Sequence, residues 1–138
     1  MGKSLVIRDA NFGANAINSR GSYIYINNTF TWGKGGINQP GTSTGSTNTA
    51  MSMIGLPLEH ASEDLFFVAA NGYKIHSILT SNYSSPAANQ YTYTEYDQLL
   101  DNITVPAGKY YEICVSQTGG GNANIADGPS ALLLRQEA

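Results

Sequence analysis

The sequence predicts an all-β chain, folded as an antiparallel β-sandwich of jelly-roll or Greek-key type, and three observations carry that prediction. Apolar residues recur at alternate positions in short runs, and no convincing helical periodicity interrupts them. Gly, Pro and Asn separate the runs, as turn residues separate strands. With 9 Tyr and only 12% charged residues, the chain has aromatic surface to bury and no charge block to hold it open.

In chain order, "SLVIR" reads as a short first strand. "SYIYINNTF" alternates Tyr23 and Tyr25 with Ile24 and Ile26, which places aromatics on one face and isoleucines on the other. From Gln39 to Thr49 the chain is almost wholly Gly, Ser, Thr, Asn and Pro. A linker there would leave 38 residues upstream, below the roughly 40 that an unaided domain needs, so the stretch reads as a surface loop of one module. "AMSMIGLPL" follows as a strand with Met51 and Met53 on one face.

The polar stretch "LEHASEDL" reads as a solvated turn. "DLFFVAA" and "YKIHSILTS" flank Asn71-Gly72, the strongest short-range hairpin signal in the chain. "QYTYTEYDQ" sets Tyr91, Tyr93 and Glu95 on one face and Thr92, Thr94 and Tyr96 on the other. "NITVPAGKYYEICVSQT" gives a strand, a Pro-Ala-Gly turn and a long strand with Tyr111, Ile113 and Val115 on one face. Cys114 there reads as a small buried hydrophobe. "SALLLRQ" is an apolar run suited to a buried strand. About seven or eight strands at this spacing suit two sheets packed face to face.

Several functions are set aside on composition. A net charge of -3 with seven scattered Lys and Arg forms no basic stripe, so no nucleic-acid partner is expected. The single cysteine excludes an internal disulfide framework and a multi-cysteine zinc site. No window approaches 18 apolar residues and no secretory signal stands at the start, so neither membrane nor export is expected. The N-x-[ST] triplets at Asn27, Asn82 and Asn102 then read as chance.

Catalytic patterns fare no better. His60 and Glu63 have H-x-x-E spacing, but lie between strands without a second His nearby. Glu95 and Asp97, two apart on a strand, would sit about 6 to 7 Å apart, near a glycosidase pair, although exposed strand faces carry such pairs routinely. No G-x-S-x-G elbow occurs, and His76 reads as a packed or half-exposed strand residue. The chain is expected to be non-enzymatic, without cofactor or metal. Trp32, Tyr83, Tyr91, Tyr93 and Tyr96 lie among Asn, Gln, Ser and Thr. Such a mixture suits sugar rings, which stack on aromatics while amides and hydroxyls meet their hydroxyl groups.

The segments "GGINQPGTSTGSTNTAMSM", "NGYKIHSILTS", "ITVPAGKYYEICVSQT" and "NIADGPSALL" together resemble a small β-sandwich module of gut-bacteriophage head and tail fibre proteins, similar to carbohydrate-binding modules. The matching positions are Gly35, Gly36, Ser43 to Thr49, Gly72 to Lys74, Val105 to Tyr110 and Asn124 to Ser130. "IADGPS" departs from the module's tighter end, and "NYSSPAANQYTYTEYDQ" has no counterpart.

The resemblance implies a virion protein of a head fibre, capsid decoration or tail fibre, made in the host cytoplasm and displaying a surface for host glycan. It implies residues 32–138 as the jelly-roll-like sandwich. Met1 to Thr31 would form an N-terminal segment of first strands that attaches to other virion proteins. A homo-oligomer, with a trimer favoured, is expected on the same ground. The alternative is a carbohydrate-binding module of a bacterial glycan-degrading system.

Overall fold

The structure is a computed structural model that describes residues 30–45, 50–69, 72–117 and the backbone of 132–136. The described strands are β1 (Trp32–Lys34), β2 (Ala50–Met53), β3 (Glu59–His60), β4 (Leu65–Ala69), β5 (Tyr73–Ser81), β6 (Tyr91–Leu100), β7 (Asn102–Val105), β8 (Tyr110–Gln117) and β9 (Leu132–Gln136). All pairings are antiparallel. One sheet runs β1-β2-β8-β5-β6 with β3 also on β8, and the other runs β7-β4-β9. The two pack against each other as a β-sandwich. The expected strands at "SLVIR" and "SYIYINNTF" lie outside the described residues, apart from Phe30 at the end of the second.

The alternation in the sequence sets which side chains meet between the sheets. Met51 and Met53 from β2, Tyr111, Ile113 and Val115 from β8, and Ile75 and Ile78 from β5 join Leu65, Phe67 and Ala69 from β4 and Val105 from β7 in one buried cluster. The Phe67 and Tyr111 rings meet edge to face at 5.4 Å. Every residue of β4 is buried, which suits the central strand of the smaller sheet.

Over β2, β8 and part of β5 the outer face of the larger sheet is dry as well, because the chain after β1 folds back across it. Ile37, Ala50, Leu58, Leu79 and Cys114 form a second cluster there, with Tyr91 and Tyr110 packed at its margin. The described part of the Gly- and Thr-rich loop is tied down at several points: Gly45 N–H donates to Lys34 C=O at 3.0 Å, Thr44 N–H to Gly36 C=O at 2.8 Å and Gly55 N–H to Gly41 C=O at 3.0 Å. Ser52 Oγ donates to Gly35 C=O at 2.6 Å. Residues 39–45 are thus a folded cover on one module, and 46–49 lie outside the described residues.

Two expectations are corrected. Asn71-Gly72 does not close a hairpin, since β4 and β5 belong to different sheets. Gly72 does take a positive φ of 88°, but the all-apolar β4 has its two ladders filled by β7 and β9, and the chain crosses to the other sheet instead. "LEHASEDL" is not all turn: Glu59 and His60 pair with Tyr111 and Tyr110 as β3. β8 is long enough to carry β2 and β3 along one edge, and this pairing, not local propensity, makes β3 a strand.

Candidate functional site

The five expected site residues separate into three places. Trp32 is 6% exposed, packs edge to face on Phe30 at 6.4 Å and belongs to the cluster between the sheets. Tyr96 lies half-buried against the same cluster. Tyr83, Tyr91 and Tyr93 are left on the surface. Tyr93 stands opposite Leu79 and Tyr91 opposite Ser81, so both project from the outer face of the larger sheet. Tyr83 is 52% exposed and Tyr93 39%.

The connection between β5 and β6 places Tyr83 beside Tyr91. Ser81 Oγ donates to Gln90 C=O at 2.6 Å and accepts from Tyr83 N–H at 3.0 Å. Gln90 Oε1 accepts from Ala87 N–H at 2.8 Å and Gln90 N–H donates to Ala87 C=O at 3.0 Å. Serine and amide side chains that satisfy backbone groups in this way hold a turn without regular structure. The result is a cleft of about 330 Å³ lined by Tyr83, Tyr91, Asn82, Asn89, Gln90 and Lys109, among others. Lys109 Nζ donates to Asn82 Oδ1 at 2.7 Å, fixing both side chains at its wall. On its other side Tyr91 joins Gln39, Pro40, Pro86 and Ala88 around a second hollow of about 250 Å³. Two phenol rings with two amides, an asparagine-held ammonium and hydroxyl groups make a surface that stacks and hydrogen-bonds at once.

The acid and histidine candidates lie elsewhere on the same face. His76 marks a bulge in β5, and there its Nε2 lies 3.0 Å from Glu95 Oε1 and its Nδ1 3.0 Å from Ser77 Oγ. The order Ser, His, Glu resembles a triad, but Ser77 is fully buried and its hydroxyl meets no substrate. Asp97 falls in the irregular stretch of β6 between Glu95 and Leu100. Among the described residues no group of three or more His, Cys, Asp or Glu gathers as a metal site. Cys114 is buried, and desolvation pushes its thiol above the usual value.

A residue that sequence reasoning did not single out is Glu112. It is 2% exposed, and its Oε1 accepts from Gly41 N–H at 2.9 Å while its Oε2 has no partner. Burial pushes its carboxyl up to about 7, with the Gly41 bond pulling weakly the other way. On the edge of β8, β2 pairs as far as Cys114 and β3 resumes at Tyr111, so Ile113 and Glu112 face the break between them. Residues 54–58 loop out at that break and enclose a cavity of about 190 Å³, whose lining includes Glu112 and Glu59. Burial also raises Glu59. Burial and then the Glu59 charge raise the Tyr111 phenol.

Gly41 holds this corner together through its backbone alone. Its φ is 81°, and a Cβ there would fall 2.7 Å from Leu56 Cγ. Gly41→Ala is therefore expected to cost about 1 to 2 kcal/mol, read from the urea midpoint at unchanged slope. An unchanged midpoint would show that the loop is not fixed in this conformation.

No protein-family model, no curated protein and no solved structure matches the chain.

Proposed function

We propose that the chain is a non-enzymatic structural protein of a bacteriophage particle, part of a head fibre, capsid decoration or tail fibre, and that it binds host surface glycan with the cleft at Tyr83 and Tyr91. The observation that carries the binding half of this reading is the cleft itself, where the exposed Tyr83 ring and the half-buried Tyr91 ring stand beside Asn82, Asn89, Gln90 and Lys109. The virion half rests on the module resemblance, which also supplies attachment through Met1 to Thr31 and a trimeric assembly. The buried Ser77 and the engagement of Glu95 with His76 support a non-catalytic role.

On a glycan array the chain should retain a defined set of glycans. Tyr83→Ala should weaken that binding roughly tenfold, the value of one lost stacking contact. Tyr83 is exposed, so its removal should leave the melting temperature within a few degrees. An array with no bound glycan, or a Tyr83→Ala variant that binds as before, would remove the cleft from the account. A carbohydrate-binding module of a bacterial glycan-degrading system would use the same cleft. Mass spectrometry of purified particles separates the two, because only the virion reading places the chain there, and light scattering then tests the trimer.

A further inference from the structure

We infer that the cavity at the break between β2 and β3 is a binding site for an organic cation, an ammonium or guanidinium on a short aliphatic stem, held by the carboxylate of Glu112, with Glu59 adding negative charge elsewhere in the lining. It stands apart from the Tyr83 and Tyr91 cleft and does not depend on the glycan reading.

Three observations converge on it. The first is Glu112, whose Oε2 is buried without a hydrogen-bond partner. A carboxylate oxygen in that condition costs stability unless something meets it, and such groups concentrate at functional sites. The second is the charge of the lining. Glu59 and Glu112 are both part of it, and no Lys or Arg is among the described residues that line it. The third is its apolar wall. Phe30, Ile54, Leu56 and Pro57 supply hydrocarbon and one aromatic ring, which suits a methylene stem and a cation near a ring face.

The size and the donor set choose the ligand class. At about 190 Å³ the cavity falls below the roughly 300 to 1,000 Å³ of drug-sized sites, and holds a single side chain or a small amine. A hard metal cation prefers six or more oxygens. Here the described residues provide two carboxylates among hydrocarbon, and no cluster of three metal-ligating side chains. An organic cation matches both the charge and the apolar stem.

The groups packed around Glu112 make its ionisation the controlling equilibrium. β5 sets Leu79 opposite it, the covering loop offers the Gly41 N–H, and the 54–58 loop contributes no titratable group; among the described lining residues Glu59 on β3 is the one other acid. Burial holds the Glu112 carboxyl at about 7, so cation binding is expected to strengthen as pH rises through that value and to release a proton.

The test uses the whole chain with n-butylammonium chloride at pH 8, followed by NMR shift changes at Ile54 to Glu59 and Glu112. Saturable shifts are expected. They should weaken at least fivefold at pH 6 and at least tenfold in Glu112→Gln, whose melting curve confirms that it is folded. A lysine-containing peptide, run in parallel, distinguishes the source of the cation. Binding of the peptide as well as the amine points to a side chain of another protein, and binding of the amine alone points to a free small molecule; either supports the site. Butan-1-ol has the same stem without the charge. Binding of the alcohol as tightly as the amine, no saturable shift at pH 8, or equal binding by Glu112→Gln would overturn the proposal.

Discussion

Glu112→Gln is expected to stabilise the fold by about 2 kcal/mol at pH 8 and to change it little at pH 5. The carboxyl of Glu112 has an ordinary value of 4.5 and is raised to about 7 in the fold, chiefly by burial. Between those values the folded chain holds a proton that the unfolded chain has released. Stability therefore falls as pH rises through this window, by roughly 1.4 kcal/mol per unit and about 3 kcal/mol in all. The full contribution is present below 4.5 and lost above 7.

A glutamine accepts from Gly41 N–H as the carboxylate does and carries no charge to desolvate. Its buried amide hydrogens lack an acceptor at the Oε2 position, which returns about 1 kcal/mol of the gain. Burial also raises Glu59, which titrates in the same direction and adds to the slope of the native protein. Urea titrations at pH 5 and pH 8 read both chains directly. Equal stability of the native chain at the two pH values would show that Glu112 is solvated or paired in solution.

Phe67→Ala is expected to cost about 3 to 5 kcal/mol. Phe67 is fully buried at the middle of β4, opposite Ile103 on β7 and Leu134 on β9, and its ring meets Tyr111 across the sandwich. Its removal deletes the transfer energy of a whole ring, leaves a cavity between sheets and takes away an edge-to-face contact worth about 1 kcal/mol. Against a typical total of about 5 to 15 kcal/mol, such a loss leaves many chains unfolded at 37 °C. Phe67→Leu keeps much of the volume and should recover more than half of the loss. A Phe67→Ala chain with a urea midpoint near the native value would mean that the two sheets do not share this core.

The fold class and most strands were legible because their side chains alternate. Met51 and Met53, and Tyr111, Ile113 and Val115, fall on the buried face that their spacing requires. β3 was not legible, because two residues carry no period and Glu59-His60 is strand only where β8 lies beside it. Asn71-Gly72 misled for a related reason: a turn preference speaks for a bend, while the partners of the flanking strands are chosen by burial far along the chain.

At the surface, alternation correctly put Tyr91 and Tyr93 on one face and Tyr96 on the other. It could not place Trp32, since a lone aromatic beside polar residues fits a core as well as a binding face. Glu112 was within reach. Cys114 was read as buried and lies on the face opposite Tyr111, Ile113 and Val115, so β8 had to be dry on both faces and Glu112, two residues away, had to be inside.

The smaller sheet imposes an order on synthesis. β4 sits between β7 and β9, and β9 is Leu132–Gln136, the last strand described. While the ribosome still holds that segment, β4 has one occupied edge and one row of open amides beside an apolar surface, a state prone to joining other chains. Of the described neighbours in sequence, only β1 with β2 and β5 with β6 pair directly. The remaining ladders close long loops before they gain contacts, so this sandwich should fold slowly and complete its smaller sheet only once β9 has been made.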